Sequence, residues 1–162
     1  MLEKTPDHVY KLNMIRHEFP SSKVIHLIRH PDPTVNSYCK AAKLWGGDVD
    51  HTKSYQKWFS SVIETFFQVK KHNDLVIYYE DILLNTSETI EQLNRYLGTN
   101  INEQVFIKTF SSHSESIVSK NETWKRNNFS NSLDHSKAEV QSSGQLEKAL
   151  DFLAHIVKLS KK

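Results

Sequence analysis

The run from Lys23 to Tyr38 (KVIHLIRHPDPTVNSY) constrains this chain more than any other stretch. Val24, Ile25, Leu27 and Ile28 are a short β-prone apolar run, the right length for one buried strand of a parallel sheet. The run ends at Arg29 and a helix start follows at once. Asp32 suits the N-cap and Pro33 the first helical position, where no N–H is needed, while Val35, Tyr38 and Ala42 recur at helical spacing. This order sets a guanidinium at the carboxyl end of a strand, facing the N–H groups of a new helix and the Ser37 hydroxyl. Such a donor set suits a phosphate.

The flanking sequence repeats the alternation of strand and helix. Thr5-Pro6 opens a helical stripe through Val9, Leu12, Ile15 and Phe19 that Pro20 stops. Gly46-Gly47 ends the helix after Arg29, and a longer one is predicted from His51 to Lys71, with an aromatic face from Tyr55 to Phe67 read as core. Leu75 to Tyr79 reads as a second strand, ahead of Glu80-Asp81. Asn85 with Glu88 has capping-box spacing before a helix that Gly98 closes. A short helix is predicted over Val105–Phe110 and an amphipathic one from Leu146 to Val157, with 111–145 as a polar, mobile segment between them. The pattern is α/β, with parallel strands joined by crossover helices, in a single domain over 1–162. Two strands cover too little of the apolar helix surface, so further strands are expected ahead of Met1.

Composition narrows the function classes. A net charge of +2 over 162 residues, with no block of like charges, gives no footprint for nucleic acid. No apolar run approaches the ~18 residues of a membrane span. One cysteine, Cys39, excludes an internal disulfide and suits a reducing compartment, so a cytoplasmic setting is expected, with Cys39 as packing. The nine histidines show no ligand spacing, and no metal is expected.

Lys4-Thr5-Pro6-Asp7-His8, the Lys23–Pro31 run with Ser37 eight residues after Arg29, Tyr78-Tyr79-Glu80-Asp81, Arg95-Tyr96-Leu97-Gly98 and Trp124-Lys125 stand in an order that resembles the sulfotransferases dependent on 3′-phosphoadenosine 5′-phosphosulfate (PAPS). The bacterial and tyrosylprotein-sulfotransferase-like branch is the most similar. The resemblance implies a three-layer, parallel-sheet fold of the nucleotide-kinase (P-loop) type. It also implies transfer of a sulfonyl group from PAPS to a hydroxyl or amine, on a carbohydrate, a peptide tyrosine or a small molecule. By position, Arg29 and Ser37 would grip the cofactor's 3′-phosphate and Tyr79 would lie by the adenine. Trp124, Lys125 and Arg126 would close over the 3′-phosphate side. Lys4 would stabilise charge on the transferring group, and His8 is a candidate base.

One family part is missing: the strand–loop–helix that cradles the 5′-phosphosulfate. None of Gly46, Gly47, Gly98 and Gly144 follows a strand and opens a helix beside a basic residue. The chain is therefore expected to be a carboxyl-terminal, incomplete portion, truncated at its N-terminus and weakly active or inactive. Two other readings stay open. A non-catalytic nucleotide-binding or interaction remnant of the fold is one. The other is a histidine phosphatase built on Arg29-His30, with His113 as second histidine, although Pro31 stands where that motif expects glycine.

Overall fold

A computed structural model gives the fold and describes residues 5–47 and 49–112. Lys4, Trp124, Lys125, Arg126, His113, the 113–145 segment and the Leu146–Val157 helix lie outside the described residues. The contacts group the chain into two compact units, one ending its first run at Val76 and the other beginning at Ile77.

The first unit opens with a 3-10 helix over Pro6–Lys11 that runs into α1, Leu12–Glu18. The predicted single α-helix is thus wound more tightly in its first half, a common state of helix N-termini. Thr5 is extended and makes no side-chain cap. Strand β1, Ile25–Ile28, alternates with a period of two: His26 and Ile28 are buried, Ile25 and Leu27 exposed. It pairs in parallel with β2, Leu75–Tyr78, and next to that pairing the Leu75 N–H donates to the Val24 carbonyl at 3.3 Å.

Helix α2, Pro31–Leu44, buries Pro31, Val35, Cys39 and Ala41 and packs against α3. Cys39 packs as expected, its Sγ 3.7 Å from Ser54 Oγ. Gly46 takes φ +74° in the turn that leaves α2, a conformation that costs other residues strain. Asp50 then caps α3, His51–His72, by accepting from the Lys53 N–H at 3.0 Å, and Asn73 ends it at φ +55°. Ile28 and Val62 centre a small core, with Trp58, Phe59, Ile63 and Val76 packed against it. The predicted apolar face of α3 is only partly core, because Phe66 and Phe67 are 36% and 54% exposed.

The second unit holds the end of β2, then α4 (Tyr79–Leu84), α5 (Thr86–Leu97) and α6 (Glu103–Ser112). Among its described residues, Ile77, Leu83, Thr89 and Ile90 are buried. Gly98, at φ +72°, ends α5 as expected, and the Asn94 side chain braces the next turn by bonding both N–H and carbonyl of Ile101. The expected Asn85–Glu88 capping box does not form. The Asn85 amide instead donates back to Asp81 Oδ1 at 3.0 Å, which removes it from the N–H groups of α5. Helix α6 continues through Ser112, past the start predicted for the polar segment.

Candidate functional site

Arg29 directly follows β1 and is partly buried. Its backbone is held from α3, where Trp58 Nε1–H donates to the Arg29 carbonyl at 3.0 Å. One turn earlier on the same helix, the Tyr55 hydroxyl donates to Asp32 Oδ1 at 2.5 Å. Residues three apart share a helix face, so one side of α3 grips both ends of the strand-to-helix turn. The bond to Asp32, then burial, pushes the Tyr55 pKa up to about 12 from 10.0.

The turn differs from its sequence reading. The N-cap of α2 is His30, whose Nδ1 accepts from the Asp32 N–H at 3.3 Å, and Pro31 takes the first helical position. Asp32 lies inside the first turn, its carboxylate 3.9 Å from His30 Nδ1. Pro31 and Pro33 have no N–H, that of Asp32 is spent on His30, and that of Thr34 donates to the His30 carbonyl at 3.3 Å. No backbone donor is therefore left at this helix end for an external anion. The expectation that helix N–H groups face the anion is corrected, because proline occupies two of the first three positions and a histidine ring caps the remaining donor. The acid at Asp32 already complements the helix dipole.

An anion at this place would thus be held by side chains. Ser37 is exposed on α2, about 9 Å along the helix axis from Pro31. The hydroxyl that bonds back to its own turn belongs to Thr34, which donates to the His30 carbonyl at 2.8 Å. His8 is partly buried in the 3-10 helix. That helix is tied to α3 by an ion pair of Asp7 with Lys57 at 3.0 Å, and Tyr10 OH stands 3.0 Å from Ser61 Oγ. Lys57 Nζ also lies 5.7 Å from the Tyr38 ring centre. Helix α3 therefore holds both the segment that carries His8 and the turn that carries Arg29. Tyr79 begins α4 in the second unit rather than ending β2, and is partly buried.

A second polar cluster escaped the sequence reading. Asp74, just ahead of β2, accepts two bonds from Arg16 Nη2 of α1, at 2.6 Å to Oδ1 and 2.5 Å to Oδ2, and Asp74 Oδ2 lies 2.9 Å from His26 Nε2 of β1. The Asp74 side chain is 1% exposed and that of His26 6%. Among the described residues no group of three metal-ligating side chains is present.

Fold and turn together define an α/β protein with an arginine just past the carboxyl end of a strand. The model of the Sulfotransferase family matches residues 1–103, and this chain belongs to that family. Sulfotransferase 1B1 of Canis lupus familiaris is 27% identical over 92 residues, which cover 56% of this chain and 31% of that protein. The chain thus spans less than a third of the relative's length. No solved structure is matched.

Proposed function

We propose that this chain carries the 3′-nucleotide-binding part of a sulfotransferase that uses PAPS, with Arg29 and Ser37 on the cofactor's 3′-phosphate. Membership of the family supports the reaction class. The observation that carries the site is the braced turn. Arg29 is fixed through its carbonyl at a strand end, and Ser37 presents an exposed hydroxyl from the helix that follows. A guanidinium and a hydroxyl suit a phosphate: the first gives charge and a planar fork, the second one more donor. Since the helix end has no spare N–H, these two side chains bear the recognition here.

Bound PAPS supplies a sulfonyl group already joined to a phosphate leaving group. The chain's own residues then bind, orient and handle one proton. Lys4 would offset charge on the transferring oxygens and His8 would take the acceptor's proton, which for a placed base is worth ~10²–10⁴-fold. Tyr79 would rest by the adenine. Trp124, Lys125 and Arg126 would cover the 3′-phosphate. The acceptor is a hydroxyl or amine of a carbohydrate, a peptide tyrosine or a small molecule. Of the described glycines, Gly46 and Gly47 follow α2 and Gly98 follows α5, so none forms a strand-to-helix phosphate loop. These residues alone are therefore expected to bind nucleotide and to turn over at background.

The phosphatase reading loses support at His30. Its Nδ1 is the cap acceptor and its Nε2 is buried, so neither nitrogen faces a phosphoryl group. Titration calorimetry with adenosine 3′,5′-bisphosphate tests the proposal. Arg29→Ala should weaken binding at least about tenfold, the effect of one lost charge-assisted bond. Equal affinity of the two proteins overturns the site, and sulfonyl transfer well above background overturns the expected inactivity.

A further inference from the structure

We infer that Tyr55 and Trp58 are positioning residues of the 3′-phosphate site, and that Tyr55 tethers the Asp32 carboxylate and so limits its repulsion of the anion there. The inference rests on the reading of Arg29 as the phosphate ligand. Asp32 stands three residues after Arg29 and inside the first turn of α2, so its charge is the nearest acid in sequence to the proposed anion. A free carboxylate there would oppose a phosphate. It is not free: the Tyr55 hydroxyl donates to Oδ1 at 2.5 Å, and a hydroxyl bond to a charged acceptor at this length is strong.

The same face of α3 fixes the other end of the turn through Trp58 Nε1–H and the Arg29 carbonyl at 3.0 Å. With no helix N–H left to guide the anion, its place depends on where Arg29 is pointed. These two bonds fix the backbone and the acid of the turn that carries it. Neither α3 residue has to touch the ligand. Both act through the turn.

Conservative variants separate this role from general folding, because Tyr55→Phe and Trp58→Phe keep an aromatic ring and remove a donor. Calorimetric affinities for adenosine 3′,5′-bisphosphate and for adenosine 5′-monophosphate give the gain due to the 3′-phosphate. Each variant should lower that gain by about tenfold and leave the monophosphate affinity unchanged. Asp32→Asn should restore the gain in the Tyr55→Phe background, since the charge that Tyr55 restrains is then gone. An equal loss for both nucleotides, no loss, or no rescue by Asp32→Asn overturns the inference while the phosphate reading survives. Equal binding of the two nucleotides by the unaltered chain sinks the phosphate reading and this inference with it.

Discussion

Tyr55 and Lys57 lie on the same helix, and folding tightens the hold of each on its proton through a carboxylate partner. For Tyr55 the partner is Asp32, and the pKa rises from 10.0 to about 12. For Lys57 it is Asp7, whose hydrogen bond raises the ammonium above its ordinary value of 10.5 against a smaller opposing effect of burial. Both folded values exceed the unfolded ones, so folding favours the protonated forms. Below about pH 10 both contributions are whole; that of Tyr55 is lost as pH climbs through about 12, and that of Lys57 as pH rises through its raised folded value. Urea midpoints followed across this range should hold level and then fall. A Tyr55→Phe, Lys57→Met double variant should fall less steeply, and an unchanged slope contradicts the two pairings. At the same scale, the His30 cap turns a helix end that invites anions into one whose donors are all taken. In the proposed reading the burden moves to Arg29 and Ser37.

Between elements, Asp74 joins α1, β1 and the approach to β2. Removing one member of such a buried set leaves the others desolvated without compensation. Asp74→Ala is therefore predicted to cost about 3–5 kcal/mol in urea denaturation, and a loss below ~1 kcal/mol contradicts a structural role for the cluster. Nothing local in the sequence announces this set, because Arg16 and His26 lie 58 and 48 residues from Asp74. The strand, α2 and α3 were legible from apolar period and from Pro and Gly punctuation, which are local signals. The cap of α2 was not, since Pro31 and Pro33 both fit a first helical position and the His30 ring chose between them. Asn85 failed as a cap for a similar reason: Asp81, one turn back, competes for its amide. Phe66 and Phe67 were read as core because aromatic residues favour burial, but what covers a helix face is decided by distant chain.

For the molecule as a whole, family membership supports the proposed reaction class, and the braced turn is where the proposal puts a nucleotide phosphate. Arg29 and Ser37 were singled out beforehand from a strand followed by arginine and from the resemblance, and the structure places the first just after β1 and the second exposed on α2. What the structure adds is that the N–H groups of Asp32 and Thr34 are already engaged, and that α3 bonds both to the turn after β1 and to the segment of His8. Nitrogen-15 NMR of the full chain tests this most directly, during titration with adenosine 3′,5′-bisphosphate and, separately, the 5′-monophosphate. The account predicts that the Arg29 Nε–H signal moves with the first ligand and stays still with the second, while the Asp32 and Thr34 amides change little. Large shifts of those amides with Arg29 unmoved would contradict it.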